Sequence, residues 1–347
     1  MRHRGSSQEP FMRTRRSWVG GGSLLVCVLL SLLPCSCGEG RGRWPRREGL
    51  QRIIGGSEEL SAYPWVVRIY KIGGESYLCS GSLISSHFVM TAAHCIINEA
   101  MTGWLSMEPL GSTAVHVGCS EWLSPTCRSI NVTRAVVHPC YTLYANGDQP
   151  DDHDDIALLE LEHDAGFPTE MLPYVDNLNG TADLADSDTV TLAGFGLTNA
   201  SDPSSIPLNL MAVSVPKASR AACEAANPTY VEYGWTNLDT AFCTGGEAGK
   251  DSCNGDSGGP VIKSLGWKNY VVGITSIGSE KPEGDGSCAA EGRYAVNTLV
   301  SKYADFIYET MQRKAFSCTR QGCLCEAPAG YWQNRKSGGG GGGPPPP

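Results

Sequence analysis

From Ile53 onward the chain breaks into short apolar runs, and this segmentation limits the fold more than any other feature. Residues 65–70, 77–84, 87–91, 115–118, 135–138, 156–161, 190–195, 213–215 and 270–275 are rich in Val, Ile, Tyr and Thr. Clusters of Gly, Pro, Asn and Ser separate them, drawn from 42 Gly and 21 Pro in 347 residues. β-Branched and aromatic side chains suit a pleated surface and the intervening residues favour turns, so each run reads as a strand. Many short strands joined by turns make an all-β sandwich or barrel. One helix is expected late in the chain. Leu299, Val300, Tyr303, Phe306, Ile307 and Met311 recur at three- and four-residue spacing, opposite Lys302, Asp305 and Glu309.

The flanks differ in composition. Arg13, Arg15 and Arg16 precede the apolar residues 23–33, and the small residues Cys35, Ser36, Cys37 and Gly38 follow. That order is a secretory signal over residues 1–37, cut after Cys37. The alternative is a retained signal anchor, for which the apolar run is short against the about 20 residues of a membrane span. Residues 38–52 are basic and polar with nothing to pack. A tail over 313–337 carries Cys318, Cys323 and Cys325, and residues 338–347 are six Gly and four Pro, a linker composition. Fifteen Cys indicate an oxidising compartment, so the protein is expected to be secreted. There Asn131, Asn179 and Asn199, each in Asn-X-Ser/Thr, would accept glycans. The formal charge is −9, yet residues 1–52 hold ten Arg against three Glu, leaving a still more acidic body. Nucleic acid is excluded as a partner, since phosphate neutralisation needs clustered Lys and Arg.

Gly255-Asp-Ser-Gly-Gly259 satisfies Gly-x-Ser-x-Gly, a nucleophile motif that is weak alone. Chain order narrows it. An α/β-hydrolase needs a His after the Ser, but no His follows His163. The subtilisin arrangement needs an Asp before the His, but the first Asp is Asp148, well after His94. Of these three serine triads only the order His, Asp, Ser remains.

Ile53-Ile-Gly-Gly56, Thr91-Ala-Ala-His-Cys95, Asp155-Ile-Ala-Leu-Leu159 and Gly255-Asp-Ser-Gly-Gly-Pro260 follow one another along the chain. In combination they are highly specific, and over residues 53–312 the sequence resembles the chymotrypsin/trypsin-like serine proteases. The resemblance implies two packed antiparallel β-barrels with a C-terminal helix. It implies His94 as general base, Asp155 as its orienting partner and Ser257 as nucleophile. A Ser hydroxyl attacks only when a base within hydrogen-bond reach takes its proton, and a buried carboxylate fixes the tautomer of that base. The backbone N–H groups of Gly255 and Ser257 would form the oxyanion hole. Asp155 belongs to an acidic run with Asp151, Asp152 and Asp154, ordinarily a solvated loop. Only Asp155 adjoins the apolar Ile-Ala-Leu-Leu, so only it is expected to be carried inward. His116, His138, His153 and His163 read as structural or surface residues.

The same resemblance implies specificity and activation. Asp251, six residues before the nucleophile and followed by a matching Ser252, would floor the pocket for the side chain preceding the scissile bond. A carboxylate there selects Arg or Lys. Gly278 and Gly292 match wall positions that must be small, and Ser276, Ile277 and Gly278 would pair with the substrate backbone. Ile277 stands where the family usually has Trp. A cut at Arg52–Ile53 would free an Ile53 amine to pair with Asp256, making 38–52 an activation propeptide. Implied disulfides are Cys79–Cys95, Cys223–Cys243 and Cys253–Cys288. Cys119, Cys127, Cys140, Cys318, Cys323 and Cys325 stay unassigned, with Cys119–Cys127 favoured as a local loop. No metal or cofactor is expected: His-Glu-x-x-His is absent, and only Glu121 is available where some relatives bind calcium. The segment 96–114 is about a dozen residues longer than in minimal relatives and is expected to border the cleft through Trp104 or Leu105. The expected activity is that of a secreted endopeptidase made as a zymogen. Its partners would be protein or peptide substrates with Arg or Lys before the cut, an activating protease and protein inhibitors. The competing reading is a catalytically inactive homologue that binds or adheres, against which the complete set His94, Asp155 and Ser257 counts.

Overall fold

Short apolar runs become strands because each can bury one face only against neighbours from elsewhere in the chain. A computed structural model describes residues 53–59, 61–71, 77–99, 105–107, 113–119, 127–138, 141, 154–175, 184–228, 237–278, 288–312, 317–318 and 325–326. Contacts divide the chain into Met1–Arg46 and Arg47–Pro347, and every described residue belongs to the second unit. The first half runs through β1 (Ser57–Glu58), β2 (Val66–Lys71), β3 (Tyr77–Leu83), β4 (Phe88–Thr91), β5 (Ile97–Glu99), β6 (Leu105–Met107), β7 (Thr113–Val117), β8 (Arg128–Val137) and β9 (Ala157–Leu161). The second half holds β10 (Tyr174–Val175), β11 (Thr189–Gly194), β12 (Met211–Pro216), α1 (Arg220–Ala226), β13 (Ala241–Gly245), β14 (Pro260–Leu265), β15 (Lys268–Ile277), β16 (Tyr294–Leu299) and α2 (Ala304–Met311). A two-residue pair, β17 (Ser317–Cys318) with β18 (Cys325–Glu326), places Cys318 opposite Cys325 in register.

Six strands close a barrel in the order β2-β3-β4-β9-β8-β7, each antiparallel to its neighbours. β9 is buried at all five positions rather than alternating. One face fills the barrel with leucine. On the other, Glu160 accepts from Arg134 Nε at 2.7 Å, and Arg134 donates to the Thr310 carbonyl of α2 at 3.2 Å. Phe306 and Ile307 of α2 join the same core, so the C-terminal helix caps the first barrel. The second sheet runs β1-β12-β11-β14-β15-β16-β13. A bridge between Lys217, just past β12, and Thr244 of β13 joins the edge strand β13 back to the β12 side and curls the sheet into a second barrel. Its interior is Val190, Leu192, Val213, Val261 and Val272, with Ile53 from the start of the described chain.

The helix is shorter than its apolar spacing suggests. Leu299 ends β16, Val300–Tyr303 is a 3-10 turn, and only Ala304–Met311 is α-helical. Consecutive elements aimed at one core can share a three- or four-residue spacing, so periodicity alone does not separate them. β8 begins at Arg128, seven residues before the expected start, because pairing with β7 extends it. β13, β14 and β16 escape a composition test: one contains Cys, Thr and Gly, another opens on Pro260, and the last carries Asn297. Among the described residues, four disulfides tie the loops: Cys79–Cys95, Cys119–Cys127, Cys223–Cys243 and Cys253–Cys288. Residues 1–52, Asn179, Cys140 and Cys323 lie outside the described residues.

Candidate active site

His94 sits in a 3-10 turn, Ala93–Cys95, that follows β4 and is pinned by the buried Ala93 and Cys95 on either side. Asp155 lies just before β9, the strand paired with β4, so ladder pairing brings the two together. Its carboxylate grips His94 twice, taking the backbone N–H at 3.0 Å on Oδ1 and ring Nδ1 at 2.8 Å on Oδ2. Ser276 adds its hydroxyl to Oδ2 at 2.5 Å, and Thr298 holds the Asp155 carbonyl at 3.0 Å. With Nδ1 donating to the carboxylate, Nε2 is the nitrogen left to accept a proton. The imidazole stays 28% exposed while the carboxylate is 3% exposed, so one faces the cleft and the other is sealed. Burial opposes charge on both groups, yet their mutual attraction wins. His94 is raised above its usual value, and Asp155 is lowered to about 2.

Asp154 is buried too, which corrects the expectation that only Asp155 turns inward. It accepts from the Tyr303 hydroxyl at 2.6 Å and lies 3.6 Å from His138 Nδ1. His138 packs edge-on against Tyr303 and Phe306, and burial pushes it down to about 4. The sequence hides this pair because its partners come from α2 and the turn before it, 149 residues away.

Ser257 lies in the loop between the Cys253 disulfide and β14. Its carbonyl accepts from Ser80 N–H of β3 at 2.8 Å, tying the loop to the first barrel. Gly258 has φ +78, and a Cβ there would fall 2.0 Å from Thr91 Oγ1 and 3.0 Å from Ala92 N. The nucleophile segment therefore lies against the two residues that lead into the His94 turn. Gly255 is left-handed at φ +98, a conformation that glycine adopts without strain. The carbonyl before it, on Asn254, accepts from Leu197 N–H at 2.8 Å. The peptide is trans, so the Gly255 N–H points away from Leu197.

Asp251 is 4% exposed. It accepts from Ser252 N–H at 2.8 Å and from the backbone of Ala289, which the Cys253–Cys288 disulfide holds close by. Burial, with the nearby Asp256 adding repulsion, pushes it up to about 7 against these hydrogen bonds. Gly278 lies just past β15, exposed, with open space around it. Gly292 occupies an exposed left-handed turn at φ +75, its N–H bonded to Gly246 O at 3.1 Å, and nothing lies within 4 Å of a Cβ built on it. The glycine beside the Asp251 carboxylate is Gly245, whose Cβ would be 3.7 Å from Oδ1. The sequence signal was Gly245-Gly246 ending an apolar run. Ile277 packs against a small cluster of Ala218, Cys223, Cys243 and Val296.

Ile53 is wholly buried in the second barrel. Asp256 is 2% exposed and accepts from Gly196 N–H at 2.8 Å and Cys253 N–H at 2.9 Å. Burial pushes it up to about 7, and no ion-pair partner for it occurs among the described residues. Asn131 and Asn199 are exposed; the first donates to Glu162 at 2.9 Å and the second accepts from Ser201 N–H at 3.0 Å. Among the described residues, two groups have metal-like spacing, Cys79/His94/Cys95 and His116/Cys119/Cys127, but their sulfurs are committed to disulfides. No helix among the described residues is long and apolar enough to cross a membrane.

Residues 53–307 match the family model described as Trypsin. Phenoloxidase-activating factor 3 of Holotrichia diomphalia is 30% identical over an alignment of 292 residues that covers 76% of this chain and 74% of that protein. CLIP domain-containing serine protease HP8 of Bombyx mori is 32% identical over 278 residues, 76% of this chain and 70% of its own. Trypsin 5G1 of Aedes aegypti is 30% identical over 295 residues, 82% of this chain and 97% of its own.

Proposed function

As the chain belongs to the trypsin family of serine proteases, we propose that it is a secreted endopeptidase, made as a zymogen, that cuts after Arg or Lys. The observation that carries this reading is the double grip of Asp155 on His94 beside the Ser257 loop. His94 Nε2 takes the Ser257 hydroxyl proton as Oγ adds to the scissile carbonyl carbon. The carbonyl electrons move to oxygen, and the N–H groups of Gly255 and Ser257 receive that charge, each such donor worth about 3–4 kcal/mol. Collapse expels the amine, which leaves with the proton held by His94, and an acyl ester remains on Ser257. Water then repeats the sequence, giving its proton to His94 and releasing the acid. Asp251 supplies the counter-charge for a substrate guanidinium or ammonium. The signal at 1–37 and the paired cysteines support secretion. A relative named as a phenoloxidase-activating factor supports a protein as the substrate.

The test is fluorophosphonate labelling of the chain cut after Arg52, followed by profiling on a peptide library. Label on Ser257 and cleavage after Arg and Lys are expected. Absence of label in a chain that still captures a protein partner would replace this reading with that of a catalytically inactive binding homologue.

A further inference from the structure

The loop that presents Ser257 needs a rigid Gly255, and glycine is the residue least able to hold itself still. Its conformation is set by the two peptide planes that flank it. The plane before Gly255 is held by Leu197 N–H on the Asn254 carbonyl. The plane after it is held by a side chain, Ser80, whose hydroxyl lies 3.1 Å from the Gly255 carbonyl. Ser80 is wholly buried in β3 of the first barrel. A hydroxyl has one proton to give, and Gly255 takes it; the Ser80 oxygen then accepts from Phe195 N–H at 3.3 Å. The main chain of Ser80 is as fully used. Its N–H donates to the Ser257 carbonyl at 2.8 Å, and its carbonyl accepts from Thr91 Oγ1 at 2.9 Å. One residue thus holds both Gly255 and Ser257 from behind, through their carbonyls. The seat is tight: a Cβ on Gly194 would fall 3.1 Å from Ser80 Oγ, and one on Gly259 would fall 3.2 Å from Ser80 Cβ.

From this geometry we infer that Ser80 is a positioning residue for the oxyanion hole, bracing Gly255 through its hydroxyl and coupling it to the Phe195–Gly196 segment that holds Asp256. The inference rests on the protease reading above. Removing the hydroxyl takes one hydrogen bond from the part-buried Gly255 carbonyl and one from the buried Phe195 N–H, and Gly255 regains freedom about its second plane. Ser80 touches no substrate, so the substrate pocket at Asp251 should be unaffected.

The experiment compares the activated wild type with Ser80→Ala and Ser80→Gly. A peptide aldehyde ending in Arg forms a hemiacetal with Ser257, its oxygen seated where an oxyanion would be, whereas benzamidine fills only the pocket at Asp251. On Arg peptide amides, kcat should fall roughly tenfold in both variants with KM nearly unchanged. Aldehyde affinity should fall by a similar factor, and benzamidine affinity should hold within about twofold. Unchanged kcat and aldehyde affinity would overturn the inference, as would equal losses for aldehyde and benzamidine, which mark a general packing defect. Failure of both variants to bind benzamidine would also overturn it, assigning Ser80 to the folding core. A wild type that takes no fluorophosphonate label fails the protease reading instead, a result visible before any variant is made.

Discussion

At the residue scale, three buried carboxylates carry opposite electrostatic instructions. Asp155 has a cationic partner and is lowered to about 2, whereas Asp251 and Asp256 are raised to about 7 by burial that hydrogen bonds only partly offset. On the proposed Arg/Lys specificity, this would make recognition by Asp251 depend on pH. Its carboxyl keeps a proton below about 7, and only the carboxylate can pair with a substrate cation. The ratio of kcat/KM for an Arg peptide over its Phe counterpart should therefore rise between pH 5.5 and 7, approaching tenfold per unit well below the midpoint. Using a ratio cancels the common acid limb from His94, whose raised value places that limb above its ordinary 6.5. Asp251→Ser should flatten the ratio and lower kcat/KM for Arg by roughly two to three powers of ten. A flat ratio in the wild type would remove Asp251 from the pocket floor. A nearby glycine gives a steric counterpart. A Cβ at Gly196 would lie 2.5 Å from Asp256 Cγ and 2.7 Å from its backbone N. Gly196→Ala must displace Asp256, and a misplacement of about 1 Å at such a support should cost roughly a hundredfold in kcat.

At the element scale, the long segment after the His94 turn makes its own two-stranded ribbon, β5 paired with β6 from Ile97↔Met107 to Glu99↔Leu105. It leaves the barrel two residues past Cys95, so its root is fixed beside the cleft by the Cys79–Cys95 disulfide. Trp104, one of two residues expected to border the cleft, lies outside the described residues. A ribbon anchored at that point would, on the proposed reading, restrict large substrates before small ones. Deleting residues 99–109 should widen the range of folded proteins cut while leaving kcat/KM on tripeptide amides within about twofold. Parallel loss on both substrate types would show that the ribbon supports the His94 turn rather than screening the cleft.

At the scale of the whole molecule, the two barrels meet across the site. His94 and Asp155 come from the first, Ser257 and Asp251 from the second, and Ser80 and Ser276 cross between them. Activation should act on the second barrel through Asp256. Its value is raised above that of an unfolded carboxylate, so in the intact chain folding is favoured at low pH, and that contribution is lost as pH rises from about 4 through about 7. A freed Ile53 amine would supply the missing cation and reverse the shift. Arg52→Gln should leave an uncut chain with little activity. Its Tm should fall more between pH 5 and pH 8 than that of the chain cut at Arg52–Ile53. Equal pH dependence in the two forms would rule out the pairing, and full activity in the uncut variant would rule out the activation step.

The order His94, Asp155, Ser257 and the residues around each were legible in the chain, because the chemistry demands those side chains and chain order is independent of folding. The many short strands were legible as well, since β-branched runs cut by Gly and Pro have few other solutions. What the chain could not reveal were contacts whose partners lie far apart in sequence. Asp154 and Asp155 look alike in an acidic run, and only packing of the turn before α2 against the first barrel shows that both are buried and bonded to different partners. That Gly245 lies beside Asp251 depends on how β13 ends against β16. Ser80 reads in sequence as one polar residue in a strand. Its hydroxyl gains a role only when β3 is brought beneath a loop 175 residues later, because a hydrogen bond is decided by distances of a few tenths of an ångström that no local propensity encodes.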